Sequence, residues 1–195
     1  MTRIHMAVAV ALAAGLLGGC GSSPTARFYT LSLDPTLTGD GAAMPVHVVI
    51  NPVTVPELVD RPQIVTRVAG NQVSLDEFAR WAEPLKSDIA RVIAADVGQL
   101  LGSPRVNVFD AGAAVAPAWR VRVDVMRFES VPADSVTIEA LWAVRPPGKT
   151  AAVTGRSVAR ERVQGQGYDA IVAAHDRAIA AVSRDIASAI RTSSP

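Results

Sequence analysis

Cysteine is nearly missing from this chain: 195 residues carry one, Cys20, so no disulfide can form within it. Histidine is scarce too. The three that exist, His5, His47 and His175, include no pair at ligand spacing, and no free cysteine joins them, so the sequence offers no zinc site. Aromatic residues make up 5%, which leaves Val, Ile, Leu and Ala to build the core. An excess of charge is absent as well. Nineteen Lys and Arg face eighteen Asp and Glu, a net +1 that argues against a nucleic-acid partner and against a polybasic membrane patch. Met6 to Leu17 is apolar, but at about a dozen residues it falls short of the roughly 20 that a spanning helix needs. Neither a Gly-x-Ser-x-Gly elbow nor a P-loop occurs. The composition is that of one compact globular domain with no cofactor and no metal.

What is present begins at the amino terminus. Arg3 and His5 precede the apolar run, and Gly18-Gly19 leads directly into Cys20, the layout of a bacterial lipoprotein signal. Residues 1–19 are expected to be removed, Cys20 to be acylated, and residues 20–26, small and polar, to form a short tether. Acylation accounts for a lone cysteine outside the cytosol. Each buried CH₂ of an acyl chain contributes about 0.8 kcal/mol, so several chains anchor durably. The signal carries a single formal charge, Arg3, so the mature chain has eighteen charges of each sign. Lipoproteins retained at the inner membrane commonly carry aspartate after the cysteine. Gly21 stands there instead, so the expectation is the outer membrane, periplasmic face.

Residues 27–192 read as the folded domain. Phe28 to Leu33 alternates as a first strand, and Val46 to Ile50 is a nearly continuous apolar run bounded by Pro45 and Pro52, suited to a strand buried on both faces. Ile64 to Arg67 and Gln72 to Leu75 flank Gly70-Asn71 as a hairpin. The period then changes. Leu85, Ile89, Val92, Ile93, Val97, Leu100 and Leu101 recur at three and four residues, which predicts a helix with Pro84 in its first turn, Gly102 as its cap, and Lys86, Asp88 and Arg91 off the apolar stripe. Arg105 to Phe109 is a further strand. Trp119, Val121, Val123 and Val125 alternate with Arg120, Arg122 and Asp124, and the phase slips at Met126 to Phe128, where a bulge would restore it. Val136 to Val144 and Ala151 to Val163 complete a three-stranded meander around Pro146-Pro147-Gly148, and a second amphipathic helix starts at Tyr168. The expected fold class is α+β, a single two-layer domain with a mainly antiparallel sheet covered by two amphipathic helices.

Few residues suggest chemistry. His175 lies by the apolar stripe of the last helix, beside Asp176, without a nucleophile motif, and packing accounts for it. Gly165-Gln166-Gly167 reads as a strand-to-helix turn, and Arg156, Arg160 and Arg162 as a solvated strand face. The chain is not expected to be an enzyme. One block stands out: Arg61-Pro62-Gln63-Ile64-Val65-Thr66-Arg67, continuing to Arg80-Trp81-Ala82-Glu83-Pro84-Leu85. Charged residues with fixed backbone flanks beside an aromatic suit either an interaction edge or a tightly hydrogen-bonded connection.

These two motif blocks, together with Phe28-Tyr29-Thr30-Leu31 shortly after Cys20, resemble the PqiC-type family of auxiliary lipoproteins, which serve transport systems built around MCE-domain proteins. The resemblance implies an outer-membrane lipoprotein that docks a periplasm-spanning MCE protein moving lipids or other hydrophobic molecules between membranes. On that reading Arg61, Gln63, Arg67, Arg80, Trp81 and Glu83 contact the partner or a neighbouring copy, or else lock the strand-to-helix connection. Homo-oligomerisation would suit a multimeric tubular partner. Two other classes stay open: a structural or assembly lipoprotein of another outer-membrane complex with no cargo role, and a periplasmic hydrolase using His175 and Asp176.

Overall fold

The computed structural model describes residues 24–39, 41–108 and 117–194. Cys20 and the signal fall outside them. Among these residues, eight strands and two helices follow in the order β1 (Arg27–Tyr29), β2 (Val48–Ile50), β3 (Gln63–Ala69), β4 (Gln72–Trp81), α1 (Leu85–Leu101), β5 (Val106–Val108), β6 (Trp119–Val131), β7 (Ser135–Arg145), β8 (Val153–Arg162) and α2 (Gly167–Thr192). The fold class is mixed α+β, as expected. The strands are shared between two sheets, one ordered β1-β4-β3 and the other β5-β2-β6-β7-β8. The long pairings, β3 with β4, β6 with β7 and β7 with β8, are antiparallel; the three-residue strands β1, β2 and β5 add parallel ones.

Both helices lay apolar stripes on the larger sheet. From α1 come Leu85, Ile89, Val92, Ile93, Val97, Leu100 and Leu101, and from α2 Ile171, Val172, Ile179, Val182, Ile186 and Ile190, all buried. Facing them are Val121, Val123, Val125, Ile138, Ala140 and Val144. Burial of such side chains at roughly 1.5–3 kcal/mol each is the main force holding the layers together. Helix α1 ends in a Schellman motif: Gly102 is left-handed at φ 62°, its N–H bonds the Gln99 carbonyl, and Ser103 N–H bonds the Gly98 carbonyl. Pro84 takes the N-cap position, one residue outside the first turn. Its ψ of 123° is extended, and its carbonyl accepts from Ser87 and Asp88 N–H. The phase slip in β6 is a bulge, with Val125 opposite Ala140 and Arg127 opposite Glu139, so that Met126 is extra and Phe128 returns to the buried face.

Three expectations are corrected. The first strand stops at Tyr29, because the Leu31 and Ser32 N–H groups turn to side-chain carboxylates, Asp88 at 2.8 Å and Asp176 at 2.9 Å. The partner strand of the hairpin runs on to Trp81. Its register jumps from Val65 opposite Leu75 to Gln63 opposite Arg80, so the strand bulges over residues 76–79 before pairing again. Asp88, placed off the stripe by periodicity, is fully buried.

Candidate functional site

The two charged blocks meet where β3 begins and β4 ends. Trp81 N–H donates to the Pro62 carbonyl at 2.7 Å, and Ala82 N–H donates to the Tyr29 carbonyl at 2.7 Å, so β1, β3 and β4 are pinned just before α1 starts. An open groove of about 300 Å³ lies over this junction, lined by Asp60, Arg61, Trp81 and Glu83 together with Pro62 and Pro84. Three of the six singled-out residues therefore share one groove. Arg61 is exposed, and no ion pair involves its guanidinium among the described residues. Lys86, paired with Asp60 at 3.2 Å, closes one side.

The other three lie elsewhere. Gln63 and Arg80 converge on Glu77: Gln63 Nε2 lies 3.2 Å and Arg80 Nη2 3.0 Å from the carboxylate. Those two bonds hold the Glu77 carboxyl below its ordinary range. Arg67 reaches the larger sheet, donating from Nε to Glu129 Oε2 at 2.5 Å and from Nη1 to the Gly70 carbonyl at 2.8 Å. Glu83 accepts from Arg91, which also donates to the Leu31 carbonyl at 2.8 Å and to Asp88. The Asp88 carboxyl is pushed up by burial, with the Leu31 N–H and Arg91 pulling it back down. This network ties the first strand to α1, and periodicity gave no sign of it.

Beneath the groove Trp81 is only 5% exposed. Its ring meets Phe128 edge-on at 6.1 Å and His175 at 6.5 Å, while His175 stacks flat on Phe128 at 4.0 Å. His175 Nε2 bonds Ser130 Oγ at 2.8 Å, and burial alone pushes the imidazole down to about 3, so it is neutral at physiological pH. Ser130 was invisible to the sequence reading because it is brought to His175 across the bulged half of β6. The pairing does not assemble a catalytic dyad. His175 has no exposed surface, its Nδ1 has no partner among the described residues, and the Asp176 carboxylate is spent on Ser32 N–H. Among the described residues no cluster of three or more His, Cys, Asp or Glu can hold a metal ion. None of the described helices is long and apolar enough to cross a membrane.

The structure thus places a pinned junction beneath a small open groove, above an interior packed with apolar side chains. The family model for the ABC-type transport auxiliary lipoprotein component matches residues 29–187, and the chain belongs to that family. It is a lipoprotein associated with transport, in a family that is not a class of enzymes. Two solved structures share the fold. One is an uncharacterized protein, 21% identical, with a TM-score of 0.69 over 86% of this chain and 99% of its own. The other is a Xanthomonas campestris protein, 16% identical, with a TM-score of 0.69 over 86% of this chain and 97% of its own. At such identities the likeness speaks for the fold alone. No curated protein matches the sequence.

Proposed function

We propose that the chain, after removal of residues 1–19, is held by acyl groups on Cys20 at the periplasmic face of the outer membrane. There it serves as the docking subunit for a periplasm-spanning MCE protein that carries lipids or other hydrophobic molecules between the two membranes. The observation that carries this reading is the family match over residues 29–187, joined to a lone cysteine at the end of a lipoprotein signal. The interior supports docking over cargo carriage. Between the helices and the larger sheet the enclosed space is about 10 Å³, lined by Ile89, Ile93, Val123, Ile138 and Ile179, whereas pockets for small ligands run to roughly 300–1,000 Å³. The groove at Arg61 and Glu83 is the surface proposed to receive the partner, with Trp81 as its floor. Arg67, Arg80 and Gln63, each already bonded within the fold, stiffen the sheet that presents it.

The test is co-purification from detergent-solubilised envelopes. The full-length protein should bring down the MCE partner, and Arg61→Glu should lose it while melting at the parent temperature, since this side chain has no ion pair to break among the described residues. Cys20→Ser should shift the protein from the membrane to the soluble fraction. Recovery of a different outer-membrane assembly without any MCE protein would replace this reading with the assembly role.

A further inference from the structure

Only two aromatic rings stand well exposed among the described residues: Phe28 at 64% and Phe78 at 40%. In a chain with so few aromatics that is a concentration, because both lie in the smaller sheet and on the same side of it. Phe28 is paired with Arg80, and Phe78, at the end of the bulge, is exposed where the next residue, Ala79, and Trp81 are buried, so both rings stand on the face turned away from the core.

Their place in the molecule gives the occupant. Arg27, the first residue of β1, follows Cys20 by seven residues, which can reach no more than about 25 Å however they run. The molecule is longer than that. Helix α2, with 26 residues, spans about 39 Å. Its first turn stands at the β1 end, where the Tyr168 ring lies 5.8 Å from Tyr29. An acylated Cys20 therefore keeps Phe28 within reach of the bilayer, whereas the carboxyl end of α2 lies farther from β1 than the tether is long.

We propose that Phe28 and Phe78 form a seating patch that inserts into the headgroup region of the phospholipid bilayer holding the acyl chains. Amphipathic surfaces that lie on a membrane bury apolar side chains at the acyl boundary, and aromatic rings are favoured at that depth. Charge contributes little here. Arg27 and Arg80 are balanced by Asp76 and Glu77 on the same strands, so the attraction comes from ring area and does not depend on anionic lipid. The acyl chains confine the domain near the surface, so that even a small patch stays engaged.

The proposal rests on the reading of Cys20 as acylated, and one experiment separates the two. The full chain, purified from membranes and reconstituted in phosphatidylethanolamine–phosphatidylglycerol vesicles, carries Phe28→Trp, Phe78→Trp or Ser188→Trp. Ser188 is exposed and stands about 30 Å along α2 from Tyr168. The parent protein supplies the baseline for its own tryptophans. With lipids brominated in the acyl chain, emission from F28W and F78W should fall and shift to shorter wavelength, to the same degree at any phosphatidylglycerol content, and S188W should not respond. Mass spectrometry of the same vesicles reads Cys20. An acylated protein in which F28W and F78W stay unquenched, or quench no more than S188W, overturns the patch alone. Shielding that appears only when a partner protein is added also overturns it and assigns the rings to that partner. An intact amino terminus with a bare thiol overturns the anchor and, with it, the patch.

Discussion

Single buried carboxylates set the pH response of this domain. Asp96 on α1 is fully buried against α2, where one oxygen accepts the Ser183 hydroxyl at 2.9 Å and the other has no partner among the described residues. Burial pushes its carboxyl up to about 7, with the Ser183 bond opposing and the Asp34 and Asp176 charges adding to the rise. Asp176 is pushed up to about 6, again chiefly by burial. An acid that holds its proton more tightly folded than unfolded stabilises the fold fully below its unfolded pKa, about 3.9, and loses that contribution as pH rises through the folded value. For Asp96 the loss runs from about pH 4 to about pH 7. His175 acts in the opposite sense. Its folded value of about 3 lies below the ordinary 6.5, so it destabilises the fold as pH falls below that range. Asp96→Asn keeps an acceptor for Ser183 and removes the ionisable group. It should therefore melt only slightly above the parent temperature at pH 4.5 and well above it at pH 8, at roughly 2–4 °C for each kcal/mol recovered. Equal shifts at both pH values in a thermal melt would show that burial of the charge is not the cause.

Between elements, one glycine sets how β7 and β8 sit under α2. Gly155 is opposite Trp142 in register, and a Cβ added to it would stand 2.1 Å from Trp142 Cζ2. The indole occupies that place and donates from Nε1 to Ser157 Oγ at 2.9 Å, and Ser157 in turn donates to Asp185 on α2 at 2.5 Å. Gly155→Ala must displace the ring and break this chain of bonds, at about 1–3 kcal/mol by the usual cost of overpacking. Urea denaturation should show that loss, and G155A added to Trp142→Leu should cost little more, because the obstructing ring is already gone. Additive losses would place the effect in the backbone instead. This link also marks where sequence reading stops. The alternation in β6, its slip at Met126, the stripe of α1 and the Gly102 cap are all local, and each was legible. Gly155 under Trp142 depends on a cross-strand register, and the burial of Asp88 depends on residues 30 and 31 lying over a side of α1 that the helical wheel assigns to water. The site shows the same division. The two charged blocks could be singled out as a unit, yet the partners Glu77 and Glu129 follow from a bulged strand and from contact between two sheets, neither of which has a one-dimensional signature.

At the scale of the whole molecule, the question is what keeps two sheets in one body. Strand β3 runs against β6, and a cleft of about 190 Å³ lined by Leu58, Val65, Met126 and Phe128 remains between them, edged by the Arg67–Glu129 pair. Glu129 is 15% exposed and also receives Arg127 at 3.0 Å, so one carboxylate gathers a guanidinium from each sheet. A partly buried, charge-assisted pair of this kind exceeds an ordinary surface ion pair, and breaking it costs about 1–3 kcal/mol. Arg67→Ala should therefore lower the denaturation midpoint, and the cycle with Glu129→Ala should return a coupling of about 1 kcal/mol, moderated by Arg127 remaining as a partner. Arg67→Glu should do more harm than Arg61→Glu, since it sets a second carboxylate beside Glu129 between the sheets. The two charge reversals thus separate the roles that one motif block combines. If the proposed MCE partner docks at the groove, Arg67→Glu should lose it only together with stability, whereas Arg61→Glu should lose it from a domain that melts normally. Zero coupling between positions 67 and 129 would mean that apolar packing alone joins the sheets, and would leave Arg67 free to act at the docking surface.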